Sequence, residues 1–232
     1  MGTCLLCGHH GLLKSVGKDG LCKECRPGVQ MEVHSRLRVI NESTKLAAES
    51  KNYKTRLSRC GVAMDNCRDL KQRFEDRGIE TTSPLPSQLL EGLKHDFGLL
   101  LAGAADEIVD DARRKAEAAA TTTARVNTYS KAALNLATLQ REYGSHESLD
   151  RAGRCVQEAM DLVKVSSAME EGEKAEFKGN RAKALERYQE ALYLVLHDTI
   201  DDSQQHELIA TLVTKVTQLG GQVPPELSQR ST

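Results

Sequence analysis

Two pairs of closely spaced cysteines near the N-terminus constrain this chain more than any other feature of its sequence. Two residues separate the cysteines of each pair, and 14 residues separate the pairs, which are Cys4 with Cys7 and Cys22 with Cys25. The short spacing lets the backbone turn so that both thiolates reach one metal ion, and two such pairs complete a tetrahedral shell. We therefore expect one structural Zn²⁺ in a closed shell, which leaves no position for water or substrate.

Two disulfides are the alternative fate of these four cysteines. The N-terminal segment is rich in cysteine and carries charged residues from Lys14 onward, whereas a secretory signal peptide has an apolar run. Cytosolic thiols stay reduced, so the sequence favours a metal site and a cytoplasmic location. Three further cysteines stand singly in helical patterns and are expected to be small buried residues: Cys60, Cys67 and Cys155.

The segment between the cysteine pairs is expected to form a short β-hairpin. Its turn lies at residues 17–20, where two glycines flank Lys18 and Asp19. His9 and His10 are expected to be loop residues, because four cysteines already fill the shell.

The N-terminal segment resembles a zinc ribbon or a treble-clef finger. The residues that carry the resemblance are Cys4, Cys7, Gly8, Gly20, Cys22 and Cys25. Helical sequence directly after the second pair favours the treble-clef version. The resemblance implies a metal site in residues 1–27. Fingers of this kind bind nucleic acid in some families and proteins in others.

Residues 28–79 are predicted to form a basic helical stalk. Apolar residues recur every three or four positions in two series, and each series marks one stripe on a helix. The series are Val33, Leu37, Ile40, Thr44, Ala47 and then Tyr53, Leu57, Cys60, Met64, Cys67, Leu70, Phe74. Their register slips near Asn52, which permits either a two-helix hairpin or one long helix with a stutter. The narrow stripes also suit a coiled coil, in which a homodimer would share the seam.

Charge is distributed unevenly along the chain. Residues 1–77 hold 15 Lys and Arg against 9 Asp and Glu, a formal +6, whereas residues 78–232 hold 17 against 24, a formal −7. A basic half beside a zinc finger indicates nucleic-acid binding as an alternative function. The residues that would contact phosphates are Lys14, Lys18, Lys23, Arg26, Arg36, Arg38, Lys45, Arg56 and Arg59. Acidic residues are mixed with them and aromatic residues for base stacking are missing, so a solvated helix face is the favoured interpretation.

A linker at residues 80–87 is predicted to separate the stalk from a helical domain at 88–221. Its two prolines and four hydroxyl residues interrupt a helix, and Ser87 is expected to cap the next one. Helices are predicted over 88–119, from 121–123 to Gly144, and over 147–164. A bend or a new cap is expected at residues 166–167. The last predicted helix begins near 201–203 and ends at Gly220, and residues 222–232 are expected to be a flexible tail.

The segment from Ala168 to Leu192 has small residues where two helices would cross around a turn at 179–180. It resembles a tetratricopeptide repeat, on these residues: Gly172, Gly179, Ala184, Tyr188 and Ala191. It is also similar to the three-helix MIT domain, which shares the pattern from Gly179 to Ala191. Either resemblance implies a helical scaffold that binds a protein or peptide. Its groove would be lined by Tyr143, Phe177 and Tyr188. The alternative is that the small residues only pack helices.

The sequence contains no phosphate loop, no nucleophile elbow and no HExxH helix. It also has no run of 18 apolar residues, which excludes a membrane-spanning helix. We therefore predict a mostly α-helical, non-enzymatic, zinc-binding adaptor that binds partner proteins. The alternatives are a nucleic-acid-binding protein and an accessory subunit of a nucleic-acid-processing complex.

Overall fold

The computed structural model describes residues 2–10, 15–198, 200, 203 and 205–223. The described residues form seven α-helices and one turn of 3₁₀-helix at Glu75–Arg77. The α-helices are α1 Cys25–Glu49, α2 Tyr53–Arg73, α3 Pro86–Glu117, α4 Thr122–Tyr143, α5 Glu147–Phe177, α6 Arg181–Leu196 and α7 His206–Gln218. The chain divides into two compact units, Met1–Ala104 and Ala105–Thr232, and the boundary falls inside α3. The linker expected at 80–87 stays a prediction that the segments before and after it fold independently.

The stalk segment forms two helices, α1 and α2, which pack as a hairpin in the first unit. The chain leaves α1 at Ser50, whose backbone is extended, and Asn52 begins α2. The Asn52 side chain accepts hydrogen bonds from the backbone N–H groups of Lys54 and Thr55, at 2.9 and 3.3 Å. An uninterrupted helix would leave this cap unused, so the hairpin is the arrangement that the local sequence stabilises.

Replacing Asn52 with alanine is expected to destabilise the hairpin by about 1 kcal/mol, the usual cost of losing an N-cap side chain. The urea midpoint of the first unit should fall while α2 remains a helix. Asn52→Asp is the matched control, because a carboxylate also accepts from the first-turn N–H groups and should keep most of the stability. Equal losses for the two variants would contradict a capping role.

The apolar core of the first unit joins the cysteine segment to three helices. Buried members come from the cysteine segment (Cys4, Leu21, Cys22), α1 (Val29, Val33, Ile40), α2 (Cys60, Ala63, Cys67, Leu70) and α3 (Leu90, Leu93), with Phe74 and Ile79 between α2 and α3. Eight of the twelve residues in the two apolar series predicted for the stalk belong to this core or pack against it. Cys60 and Cys67 are buried as expected, whereas Cys155 of α5 is exposed. Ser87 differs from its predicted role: α3 begins at Pro86, and the Ser87 N–H donates to the Glu75 carboxylate at 2.8 Å.

The predicted β-hairpin is not supported by the described residues. They contain no strand, only an isolated antiparallel bridge between Val16 and Cys22. Residues 11–14 of the predicted hairpin lie outside the described residues. The turn at 17–20 is present, with the Gly20 N–H donating to the Gly17 carbonyl at 3.0 Å. The Asp19 carboxylate holds this loop by accepting from Arg26 at 2.7 Å and from the Leu21 N–H at 3.2 Å.

The second unit is built around α5, which continues where the sequence suggested a bend. Ser166 and Ser167 lie inside the helix, and the Ser167 hydroxyl is 2.9 Å from that of Thr122 on α4. Val165 and Ala168 are buried beside them. Packing of α5 against its neighbours at these positions thus outweighs the weak preference of serine for a helix cap, which would have ended the helix here. The predicted helix end at Gly144 and the predicted turn at 179–180 are observed, and Asn180 caps α6.

The ends of the predicted C-terminal segment fall partly outside the described residues. Residues 201 and 202 of the expected cap and residues 224–232 of the expected tail belong to this group. Helix α7 itself begins at His206, and Gly220 follows it in a left-handed conformation, with φ of 84°. Among the helices described, none is both long enough and apolar enough to cross a membrane.

A polar cluster links α5, α6 and α7. The Glu176 carboxylate accepts from the Tyr188 hydroxyl and from Lys215 Nζ, each at 2.9 Å. Lys215 and then Tyr188 hold the pKa of Glu176 below its ordinary value of 4.5. A carboxyl group whose pKa is lowered by folding stabilises the protein above its ordinary pKa, and this contribution is lost as the pH falls.

Glu176→Gln is therefore expected to flatten the acid limb of the stability curve. Below pH 4.5 the wild-type melting temperature should fall more steeply than that of the variant, while at pH 7 the wild type should be the more stable. Thermal melts followed by circular dichroism between pH 3 and 7 provide the measurement. Glu170→Gln on the same helix is the control, and its curve should parallel the wild type. Parallel curves for Glu176→Gln would contradict the prediction.

Candidate metal centre

The four N-terminal cysteines lie together in the structure. Their Sγ atoms are all within 4.8 Å of one another, so they can hold one metal ion. The Sγ atoms of Cys7 and Cys22 are 3.9 Å apart. A tetrahedral ion with metal–sulfur bonds of about 2.3 Å places its sulfur ligands about 3.8 Å apart, which matches this distance. A disulfide requires about 2.05 Å, and the cysteines of the structure are free.

Two tight turns bring the cysteine pairs together. In the first, the Gly8 N–H donates to the Cys4 carbonyl at 2.9 Å, and Gly8 has a φ of 69°. In the second, Gly20 has a φ of 74°, and a Cβ there would lie 2.3 Å from a methyl group of Leu5. Glycine is therefore required at position 20 both by backbone conformation and by the close approach of Leu5. Cys25 is the first residue of α1.

Backbone N–H groups stabilise one thiolate of the cluster. Those of Cys7, Cys22 and Leu6 lower the pKa of Cys4 to about 6, against the opposing effect of burial. The Cys22 N–H donates to Cys4 Sγ at 3.4 Å. Interaction with the neighbouring cysteines, first Cys22 and then Cys7, raises the pKa of Cys25 to about 12. Four thiols this close cannot all ionise without a cation, and a divalent metal ion relieves their mutual repulsion.

The first cysteine of each pair is more buried than the second. Cys4 and Cys22 are buried in the same apolar core as Val29 and Phe74, whereas Cys25 is half-buried and Cys7 is exposed. A metal ion bound here would thus connect the N-terminal loops to the core of the α1–α2 hairpin.

The sequence did not indicate one supporting contact, the ion pair of Asp19 with Arg26. The only local hint was an acidic residue in the turn seven positions before a basic one.

Several residues predicted to contact nucleic acid are ion-paired within the first unit. Arg26 pairs with Asp19 at 2.7 Å, Arg38 with Glu42 at 2.8 Å and Lys45 with Glu49 at 3.8 Å. Arg36 pairs with Asp69 of α2 at 2.7 Å and with Glu32 at 3.2 Å. No ion pair is found among the described residues for Lys18, Lys23 or Arg59, and Arg56 has an interaction of its own. Lys14 lies outside the described residues.

The three aromatic residues predicted to line a groove are not brought together. Tyr188 is buried, with 1% of its surface exposed, and it packs on Gly172. Phe177 is 94% exposed at the end of α5. Tyr143 ends α4 near the beginning of α5, where Gln140 donates to Asp150. The rise of 1.5 Å per residue therefore places it about 40 Å from Phe177 along α5.

Comparison with protein-family models, curated proteins and solved structures found no match to this chain.

Proposed function

We propose that the chain is a non-enzymatic, zinc-stabilised adaptor that works in the cytoplasm. The observation that carries this proposal is the cluster of four cysteine thiols within 4.8 Å. Four protein ligands fill a tetrahedral shell and leave no position for substrate, as in structural metal sites. Free cysteines, as seen in this chain, are typical of reducing compartments.

Zinc is the metal that fits this ligand set best. Four thiolates in a tetrahedral arrangement suit Zn²⁺ or an iron–sulfur cluster. The separation of 3.9 Å between two of the sulfurs supports a single ion. Metal analysis of the purified full-length protein should give about one zinc per chain and no visible absorption band. An iron content near stoichiometry would overturn the assignment.

The second unit carries the features proposed for partner binding. Phe177 is 94% exposed and Tyr193 is 61% exposed, the latter stacked on His197 at 4.1 Å between ring centroids. Exposed aromatic residues are frequent hot spots of protein interfaces. The likeness of residues 168–192 to a tetratricopeptide repeat or an MIT domain supports the same function, as either fold binds proteins or peptides.

The adaptor function can be tested by affinity capture with nuclease treatment as the second arm. We expect tagged full-length protein to retain a discrete partner protein after nuclease. Phe177→Ala should reduce that recovery, whereas Leu134→Ala should not, because Leu134 is also exposed in the second unit but is not aromatic. Partners that disappear with nuclease would instead favour nucleic-acid binding through the first unit. Phosphate contacts would then make binding fall steeply with salt.

A further inference from the structure

An apolar cleft lies among α1, α2 and α3 of the first unit, far from the cysteine cluster. Its volume is about 330 Å³, at the lower end of the range for small-molecule sites. Its wall contains Ala47 and Ala48 of α1, Cys60 of α2, and Leu93, Asp96 and Leu99 of α3. Ala47 is 22 residues beyond Cys25 on α1, or about 33 Å along the helix axis. The cleft is therefore separate from the metal centre.

Small side chains on α1 leave the space open, and larger apolar ones surround it. Cys60 and Leu93 are buried at its base, where the Cys60 thiol donates to the Leu93 carbonyl at 3.7 Å. Leu99 is 62% exposed at its mouth. A leucine that remains this exposed beside a concave apolar wall gives a ligand additional surface to cover.

Asp96 is the one charged residue among the described residues that line the cleft. Within the described part of the chain it forms no ion pair and no hydrogen bond, whereas Glu91 on the same helix pairs with Lys94 at 2.7 Å. Burial, and then the negative charge of Asp96, raise the pKa of the Cys60 thiol. Asp96 lines the cleft but is itself exposed, so its carboxylate lies at the rim, and the buried Cys60 thiol stays protonated and unreactive.

We propose that this cleft binds a small organic amine. The apolar part of the ligand would contact the leucines and alanines, and its ammonium group would pair with Asp96. An apolar wall with one unpaired carboxylate favours a ligand that is apolar and cationic over one that is neutral or anionic. This site is independent of the adaptor function proposed above, since it uses neither the four N-terminal cysteines nor the aromatic residues of the second unit.

Three probes with the same phenylpropyl body test the proposal on the full-length, metal-loaded protein. They are 3-phenylpropylamine, 3-phenylpropanol and 3-phenylpropanoate. Methyl resonances of Leu93, Leu99 and Ala48 report binding by NMR. We expect the amine to shift them with a Kd on the order of 1 mM, a usual affinity for a ligand of this size. The alcohol should bind about three- to fivefold more weakly, and the carboxylate about tenfold more weakly. Equal binding of amine and carboxylate, or shifts only elsewhere, would overturn the proposal.

Two variants separate the charge from the cavity. Asp96→Asn should lower the affinity for the amine to that for the alcohol and leave binding of the alcohol unchanged. Asp106→Asn is the matched control, since Asp106 is also an exposed aspartate on α3. Ala48→Leu should fill the cleft and abolish binding of all three probes, and the exposure of Ala48 makes this change compatible with folding. Unchanged amine binding in either Asp96→Asn or Ala48→Leu would contradict the assignment.

Discussion

Replacing Cys22 with serine is expected to reduce the zinc content from about one ion per chain to nearly none. Serine is a poor ligand for zinc, and three remaining thiolates cannot close a tetrahedral shell. Apparent binding free energies of structural zinc sites in small domains are about 10–16 kcal/mol. Losing the ion therefore removes more stability than any other single change considered for this protein. Metal analysis after gel filtration gives the zinc content.

The structure extends this effect beyond the N-terminal loops. Cys4 and Cys22 belong to the core that contains Val29, Val33 and Phe74. Hydrogen exchange should therefore show faster exchange in residues 1–30 and in the facing parts of α1 and α2. Helices α5 and α6 should keep their protection, because they belong to the second unit. Chelation of the wild-type protein should give the same pattern.

Two other cysteines provide the controls. Cys67→Ser also changes a buried cysteine, but Cys67 packs in α2 away from the cluster, so the variant should be destabilised while it keeps zinc. Cys7→Ser changes an exposed ligand and should lose zinc with less damage to the core. Full zinc content in Cys22→Ser would disprove the metal site. Loss of protection in α5 and α6 would contradict the predicted boundary between the modules.

Tyr188→Ala is expected to destabilise the second unit by about 3–5 kcal/mol, the usual cost of removing a large buried aromatic ring. Tyr188 is among the largest buried side chains, and its ring fills the space beside Gly172. Tyr188→Phe keeps the ring and loses only the hydrogen bond to Glu176, so its cost should be about 1 kcal/mol. Urea unfolding followed by circular dichroism, with hydrogen exchange to locate the change, measures both variants.

A substitution at Gly172 tests the same contact, between the Tyr188 ring and α5, from the side of α5. A Cβ at this position would lie 2.8 Å from Cε1 of the Tyr188 ring, closer than real contacts permit. Gly172→Ala should therefore destabilise the unit by about 1–3 kcal/mol despite the better helix propensity of alanine. Combined with Tyr188→Leu, the loss should be smaller than the sum of the two single losses, because the ring that causes the clash is gone.

Gly153 on the same helix is the matched control for this substitution. A Cβ at Gly153 meets nothing within 4 Å. Gly153→Ala should thus stabilise α5 by up to about 1 kcal/mol through helix propensity alone. Opposite signs at the two glycines would attribute the effect at position 172 to the Tyr188 ring. Stabilisation by both substitutions would show that the ring moves aside.

Local patterns in the sequence were sufficient to predict the cluster of four cysteines and the mostly helical fold. Two-residue spacing places both cysteines of a pair on one turn, whatever the rest of the chain does. The helix ends at Gly144, Gly179 and Gly220 were also predictable, because a left-handed residue after a helix favours glycine. The β-hairpin was not supported, since residues 17–20 have turn chemistry without the paired strands that a hairpin needs.

Features that depend on contacts between residues far apart in sequence could be established only from the tertiary structure. Periodicity allowed either a hairpin or one long helix near Asn52, and packing of α1 on α2 with the Asn52 cap selects the hairpin. Helix α5 continues through Ser167 because it packs on both sides there. Tyr188 and Phe177 look alike in sequence, yet one is buried and the other exposed. The sequence by itself thus determined the candidate metal ligands and the helical class, because the causes of both are local. The tertiary structure decided which surfaces meet, because burial depends on the whole chain.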